Sequence, residues 1–256
     1  MLERVSKGPQ RIRTLFLSDI HLGTKGCQAD KLLDFLRHYE AETVYLVGDI
    51  VDGWQLKSGW YWPQSHNDVV QKLLRQARKG VRLRYIPGNH DEFLRDYYGT
   101  HFGGIEVLRG LGLTYWSLSQ WAKLKVKNAV NFIGEYENTL AAEAQRRGVE
   151  GVICGHIHHA VIRNQAGMFY INCGDWVESC TAVVEHFNGI FEIVQWTARG
   201  PRLDEPELAT VPHQTPPQLT WQPGPGGLGA AFSRLLGRRA APLGHRTMSD
   251  FPGPAE

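Results

Sequence analysis

Three short apolar runs in the first third of the chain, each followed by polar residues, constrain the fold more than any other feature. They span residues 12–18, 43–47 and 81–86. Their length and their branched and aromatic side chains predict buried strands. Apolar residues at helical spacing from Leu32 to Tyr39 predict a helix after the first run, and Ser65 and Asp68 predict a capping box before another helix. Strands that alternate with helices in this way indicate parallel pairing in a sheet.

The second half of the chain predicts one helix and then strands in direct succession. The helix is expected over Leu140–Arg147, ended by Gly148. The strands are expected at Gly151–Cys154, Met168–Cys173, Thr181–His186 and Ile190–Trp196. Between the last two, Asn188 and Gly189 favour a tight hairpin. We therefore predict a layered α/β domain with a mixed sheet.

The composition changes after Gly200, where ten of the 13 prolines lie and apolar periodicity is weak. Such a stretch has too few apolar residues to offset the entropy of ordering the chain. We expect an ordered domain over residues 11–199 and a Pro/Gly-rich, disordered tail over residues 200–256.

The overall charge and the cysteines narrow the classes of function. A formal charge of +2 gives no global reason to bind a polyanion, so we expect no nucleic-acid partner. The chain lacks the roughly 20 consecutive apolar residues of a membrane span, and its first ten residues lack the apolar core of a signal peptide. These features predict a cytoplasmic protein. The four cysteines show no CxxC spacing, which favours free, buried thiols.

Polar residues with metal-binding side chains follow four of the predicted strands. In chain order they are Asp19, His21, Asp49, Asp52, Asn89, His90, Asp91, His156 and His158. Because ligands of α/β sheets bind at the carboxyl ends of strands, we expect these side chains to meet in one crevice. Each short motif alone is also compatible with ordinary turn chemistry. Because four such motifs occur in order, each after an apolar run, a ligand-binding site is the favoured interpretation.

The donors in this set suit a divalent metal ion. Carboxylate and amide oxygens mixed with imidazole nitrogens match manganese, iron or zinc better than magnesium alone. Asp19 and His21 lie two residues apart, as do His156 and His158, so each pair can reach one ion. Asp49 has two oxygens and can bridge two ions.

At these residues the sequence resembles the calcineurin-like metallophosphoesterases. Their signature consists of D-x-H, G-D-x-x-D, G-N-H-[DE], a further His and G-H-x-H, and four of these five elements are present. The resemblance implies a layered α/β/β/α metallophosphoesterase fold with mixed β-sheets and a small helical cap, at about 54–66 and 109–135. It also implies two divalent ions, Mn²⁺ first, with Fe or Zn as alternatives.

The same resemblance implies a role for each site residue. The first ion takes Asp19, His21, Asp49 and His158, and the second takes Asp49, Asn89, His156 and the further His. His90 matches the residue that contacts phosphate and protonates the leaving group, with Asp52 or Asp91 in support.

Two stretches, at residues 18–23 and 172–180, resemble the UDP-2,3-diacylglucosamine hydrolase group of this family, and the similarity extends over about residues 11–196. The group cleaves the pyrophosphate of an acylated nucleotide sugar to UMP and 2,3-diacylglucosamine 1-phosphate in lipid A synthesis. The ligand motifs do not encode the substrate, so another nucleotide or phosphodiester stays an alternative.

One departure concerns the further His. Between His90 and His156 the sequence contains only His101, whose neighbours do not match the family motif. The passage from residues 105–107 to 115–117 is also much shorter than in the proteins that the chain resembles. The second ion is therefore under-liganded, or this chain lacks a segment of the working protein. A non-catalytic metal-binding protein is the third hypothesis.

Aromatic and basic residues outside the motifs are candidates for substrate contacts. Trp54, Trp60, Tyr61 and Trp62 follow the second motif and suit either a cap over a uracil ring or acyl chain, or ordinary core packing. Lys123, Lys125 and Lys127 lie opposite an apolar stripe, which suits either an anionic membrane surface or a solvated helix face. Of these residues, Trp54, Trp60, Lys123 and Lys127 are our candidate substrate contacts. The membrane alternative places the protein peripherally on the inner membrane.

Overall fold

The three parallel strands that the sequence predicts form the centre of a large sheet in the computed structural model, which describes residues 8–110, 129–165 and 167–196. These strands are β1 (Gln10–Leu17), β2 (Tyr39–Val47) and β3 (Arg82–Ile86). β2 pairs in parallel with β1 on one side and with β3 on the other. Tyr39, which we expected in the preceding helix, begins β2 instead, because the helix ends at His38 and the backbone extends there.

Two strands extend this sheet on each side. β9 (Thr181–Glu185) pairs antiparallel with β1, and β10 (Phe191–Gln195) pairs antiparallel with β9. Gly189 in the connecting turn has a φ of +84°, which confirms the predicted hairpin. On the other side lie β5 (Ile105–Val107), parallel to β3, and β4 (His101–Phe102) at the edge. Neither β4 nor β5 has a recognisable sequence pattern, because each is only two or three residues long.

A second, smaller sheet contains three strands of the described chain. β6 (Gly151–Cys154) and β8 (Met168–Asn172) pair in parallel, and β7 (Val161–Gln165) pairs antiparallel with β8. The sequence did not predict β7, because its second half is polar and shows no alternation of apolar residues.

Helices cover the outer faces of both sheets. On the large sheet, α1 (Ala29–His38) and α3 (Gln64–Arg78) bury their apolar faces, and α2 (Gly53–Ser58) lies between them in the chain. On the small sheet, α4 (Ala129–Arg146) packs Tyr136, Leu140 and Ala144 against β6 and β8. The capping box at Ser65 was a wrong prediction. Because α3 already begins at Gln64, after Pro63, Ser65 lies inside its first turn.

The two sheets face each other through aromatic side chains. The Phe169 ring of β8, in the small sheet, lies 5.6 Å from that of Phe191 on β10, in the large sheet. Within the large sheet, Phe16 of β1 stacks on Tyr45 of β2 at 5.2 Å. The order of layers is therefore helix, sheet, sheet, helix, with mixed strand directions, as predicted.

Several predictions concern residues outside the described part of the chain. The tail over 200–256, Lys123, Lys125 and Lys127 lie there, as does most of the second cap region at 109–135. The first cap region, 54–66, holds most of α2 and the start of α3. Among the described residues, we find no helix that has the length and apolarity to cross a membrane.

Candidate metal centre

The loops that follow β1, β2, β3 and β6 meet at one edge of the two sheets. The backbone N–H groups of Asp19 and His21 donate to the carbonyls of Gly48 and Asp49, at 3.1 and 3.0 Å. These bonds place the D-x-H and G-D-x-x-D motifs side by side. The structure therefore brings the first two predicted motifs together, and side-chain contacts add the other two.

Five predicted ligands adopt a left-handed backbone conformation. Their φ angles, for Asp19, His21, Asp49, His156 and His158, lie between +48° and +76°. Residues other than glycine rarely adopt such angles, although Asp, Asn and His do so more readily than most. Backbone strain of this kind persists only where surrounding contacts enforce it, and it concentrates at functional sites.

Two carboxylates connect the motifs to one another. Asp19 Oδ2 accepts a hydrogen bond from the backbone N–H of His156 at 2.9 Å, and Asp49 Oδ1 accepts one from that of His90 at 2.8 Å. Glycine is required beside each bond. A Cβ on Gly155 would lie 2.1 Å from Asp19 Oδ2, and one on Gly88 would lie 2.3 Å from Asp49 Oδ1. Each carboxylate therefore uses one oxygen to fix a neighbouring motif and leaves the other for the site.

The remaining donor atoms of the first group fit a metal ion. Asp19 Oδ1 lies 3.3 Å from His158 Nε2 and 3.9 Å from His21 Nε2. Asp19 Oδ1 and His21 Nε2 are both buried and have no hydrogen-bond partner among the described residues. Since unsatisfied buried polar atoms are costly, their convergence indicates a cation between them.

Asp52 supports this group from behind. Its Oδ2 atom lies 3.0 Å from His21 Nδ1 and 2.8 Å from His90 Nδ1. A carboxylate at Nδ1 favours the tautomer whose Nε2 atom is free, as is common for metal-binding histidines. Burial raises the pKa of Asp52, but the hydrogen bond from Gln55 N–H and the contacts with the two histidines lower it by a larger amount. The pKa therefore lies below its usual value.

A second position lies at Asp49 and His156. Asp49 Oδ2 is 4.0 Å from His156 Nδ1, and Asn89 lies in the loop between Gly88 and His90. Burial raises the pKa of Asp49, but the nearby His156 side chain and the hydrogen bond from the His90 backbone N–H lower it more, and the net shift is downward. Asp49 is therefore ionised at neutral pH.

Tyr136, which the sequence analysis did not single out, packs against this second position. Its ring lies 5.6 Å from that of His156, and its hydroxyl donates to the Gly155 carbonyl at 3.3 Å. The apolar face of α4 indicates that Tyr136 is buried, but no sequence signal indicates which carbonyl its hydroxyl reaches.

Of the two carboxylates expected to support His90, only Asp52 contacts its ring. Asp91 is fully buried, and it accepts hydrogen bonds from Ile50 N–H, Gly88 N–H and the Tyr85 hydroxyl. Burial, together with the nearby Asp49 carboxylate, raises the pKa of Asp91 to about 6. Asp91 therefore holds the loop that carries Asn89 and His90.

The aromatic candidates occupy two different settings. The Trp54 ring on α2 lies 4.2 Å from that of His90, and its Nε1 atom donates to Glu92 Oε1 at 3.3 Å. Trp60 is 79% exposed and has its ring 6.1 Å from that of Trp62. Trp54 thus borders the site, whereas Trp60 presents its ring to solvent.

His101 lies on β4 and is exposed. Within the described residues it belongs to neither group of side chains that could hold a metal; these groups are Asp19, His21 and His158, and His21, Asp52 and His90. The structure therefore gives no support to His101 as the further His.

The motifs and their geometry define the class of protein. The profile of the calcineurin-like phosphoesterase superfamily domain matches residues 12–188, which include all four ligand motifs. The chain belongs to this superfamily of metal-dependent phosphohydrolases.

Two curated relatives share one name. The "UDP-2,3-diacylglucosamine hydrolase" of Porphyromonas gingivalis is 29% identical over 110 residues, which cover 40% of this chain and 41% of that protein. The "UDP-2,3-diacylglucosamine hydrolase" of Chromohalobacter salexigens is 35% identical over 83 residues, which cover 30% of this chain and 32% of that protein. The chain thus spans about two fifths and one third of the lengths of these relatives.

Two solved structures are also similar to the chain. Yfce, a phosphoesterase from E. coli, is 12% identical with a TM-score of 0.40, over 73% of this chain and 94% of that one. A Vps29 single mutant from Entamoeba histolytica is 13% identical with a TM-score of 0.36, over 72% of this chain and 99% of that one.

Proposed function

We propose that the chain hydrolyses the pyrophosphate of UDP-2,3-diacylglucosamine, releasing UMP and 2,3-diacylglucosamine 1-phosphate. One observation supports a hydrolase: the side chains of Asp19, His21 and His158 converge, and two of their buried atoms have no hydrogen-bond partner among the described residues. Asp49 and His156 lie near each other at the second position. The names and identities of the two relatives support the substrate.

The donor set supports two divalent cations, with Mn²⁺ as the first candidate, since it combines imidazole nitrogens with carboxylate and amide oxygens. Asp19, His21, Asp49 and His158 would hold one ion, and Asp49, Asn89 and His156 the other. When bound, such ions supply a hydroxide nucleophile near neutral pH and neutralise charge on the phosphoryl oxygens.

The protein's own groups orient the substrate and handle the proton. Asp52 Oδ2 lies 2.8 Å from His90 Nδ1 and would hold the ring by accepting a hydrogen bond from that atom. In its doubly protonated form His90 would also carry a proton on Nε2, which it would donate to a phosphoryl oxygen and then transfer to the leaving oxygen. Trp54 covers one side of the His90 ring and limits the access of water to it.

The substrate is acylated and enters from a bilayer. We therefore also propose that the basic stretch that contains Lys123 and Lys127 contacts an anionic membrane surface. Cosedimentation with anionic vesicles, compared with neutral ones, measures this contact.

The test is release of UMP by the full chain loaded with Mn²⁺. We expect turnover of the acylated nucleotide sugar, loss of turnover on chelation, and loss in Asp49→Asn. If soluble nucleotides or bis-p-nitrophenyl phosphate are hydrolysed faster than the acylated nucleotide sugar, the proposed substrate is wrong, but the chain is still a hydrolase. The absence of hydrolysis of any of these compounds, with metal bound, would support the non-catalytic alternative.

A further inference from the structure

His66 is a buried histidine outside the metal-binding motifs. It lies in the first turn of α3, and only 2% of its surface is exposed. Its Nδ1 atom accepts a hydrogen bond from the backbone N–H of Gly23 at 3.0 Å. Gly23 follows His21 by two residues, so this bond joins α3 to the loop of the first motif.

The surroundings of His66 keep its ring neutral and fixed. The rings of Tyr61 and Trp62 stand nearly perpendicular to it, with centroids at 5.8 and 5.7 Å. Burial lowers the pKa of His66, and the Asp30 carboxylate opposes this shift only in part. A neutral ring can accept at Nδ1 while it carries its proton on Nε2.

Gly23 is held from two sides. Its φ angle is +105°, and a Cβ at this position would lie 2.8 Å from Leu56 Cγ on α2. α2 thus packs against the Cα atom, and His66 of α3 accepts from the N–H group. Both the packing of Leu56 and the hydrogen bond to His66 depend on the position of the loop that contains Gly23.

Residues 21–23 also contain His21, whose side chain contacts Asp52. Leu22 N–H donates to the Ile50 carbonyl at 2.9 Å, and Asp52 N–H donates to the Leu22 carbonyl at 2.8 Å. A displacement of residues 21–23 would therefore move the His21 ring and the Asp52 carboxylate relative to each other.

We propose that His66 is a positioning residue that holds His21 in its metal-binding place through the Gly23 N–H group. The inference rests on the proposed metal centre, but not on the identity of any substrate. In the described part of the chain, the hydrogen bond of the His66 ring is to Gly23 and its ring contacts are with Tyr61 and Trp62, none of which is a predicted metal ligand.

The experiment compares His66→Leu with His66→Asn. Leucine fills the volume without an acceptor, whereas the Asn side-chain oxygen lies near the position of Nδ1. Mn²⁺ affinity is measured by calorimetry, amide hydrogen exchange is followed in a peptide covering residues 19–25, and kcat and KM are measured with bis-p-nitrophenyl phosphate. We expect His66→Leu to weaken Mn²⁺ binding by about tenfold or more, as supports of metal ligands commonly do. Its Gly23 amide should also exchange faster.

His66→Asn should recover Mn²⁺ affinity to within about threefold of the wild type. In His66→Leu, kcat should change more than KM. Leu73→Ala is the matched control, because it removes a buried side chain of α3 that packs in the core. It should lower Tm but leave Mn²⁺ affinity unchanged.

Wild-type Mn²⁺ affinity and Gly23 exchange in His66→Leu would overturn the inference, as would equal losses in the Leu and Asn variants at equal Tm. If His66→Leu does not fold, His66→Gln replaces it, because its acceptor lies near the Nε2 position and cannot reach Gly23. Affinity and exchange are measured without substrate, so a chain that hydrolyses nothing still tests His66.

Discussion

At the scale of single residues, Asp52 connects three parts of the site. One of its oxygens faces Nδ1 of both His21 and His90, and the other accepts from Gln55 N–H and so caps α2. This carboxylate links a proposed metal ligand, the proposed proton donor and the start of a helix. Asp52 is the last residue of the G-D-x-x-D motif, three residues after Asp49.

We predict that Asp52→Asn separates catalysis from stability. Asn is as good a helix cap as Asp, so the free energy of unfolding should change by less than about 1 kcal/mol. The loss of the charge beside the two histidines should lower kcat for bis-p-nitrophenyl phosphate by about 10- to 100-fold. Steady-state kinetics and urea unfolding measure the two effects. Asp96→Asn, at an exposed carboxylate, is the control, and wild-type kcat in Asp52→Asn would contradict the role.

At the scale of elements, the site depends on how closely the loops after the strands approach one another. The loop after β6 meets the loop after β1 where Gly155 faces Asp19, and the loop after β3 meets the loop after β2 where Gly88 faces Asp49. Both contacts leave no room for a side chain. Each motif therefore requires a glycine because the neighbouring loop lies too close for a side chain.

Gly155→Ala should disrupt the site. The added methyl group would collide with Asp19 Oδ2 and displace the His156 backbone, so we expect a loss of Mn²⁺ affinity of at least about tenfold and a lower Tm. Calorimetry and thermal unfolding measure both. Gly134→Ala is the matched control, since nothing lies within 4 Å of a Cβ there and alanine favours a helix. Equal affinity in the two variants would refute the packing argument.

The sequence could predict elements whose pattern is local. The strands β1 to β3, the hairpin at Asn188 and Gly189 and the end of α4 before Gly148 all follow from apolar runs and turn residues. The positions of the four motifs followed in the same way.

What the sequence could not predict depends on partners that are distant in the chain. The strand β7 forms because β8 is beside it, and no periodicity of its own indicates a strand. Asp91 and Asp52 look alike in the sequence, yet one faces backbone N–H groups and the other faces histidines. The hydroxyl contact of Tyr136 is likewise visible only once α4 is placed on the small sheet.

At the scale of the whole molecule, the four cysteines are free, as predicted, and three of them are buried. Burial raises the pKa of both Cys27 and Cys154 to about 12, and it raises those of Cys173 and Cys180 as well. The thiols therefore behave as small apolar side chains at neutral pH.

These pKa shifts predict a loss of stability at high pH. Unfolded thiols ionise near pH 8.5, whereas Cys154 in the folded state keeps its proton to about pH 12. The stabilisation is thus fully present below about pH 8.5 and is lost as pH rises toward 12. Urea unfolding at pH 8 and pH 10.5 should differ by roughly 2 kcal/mol for Cys154 alone. Cys154→Ala should flatten this dependence, and an equal slope in both proteins would contradict it.

The left-handed backbone at Asp19, His21, Asp49, His156 and His158 has a consequence for attempts to redesign the centre. Asp, Asn and His are the side chains that tolerate this conformation best. Exchanges among these three types therefore retain the backbone while they alter the balance of oxygen and nitrogen donors. Glu or Cys would offer other chemistry but would have to adopt an angle that their backbones disfavour. The range of metals that a redesigned version of this protein can select is limited by its torsion angles as well as by its donors.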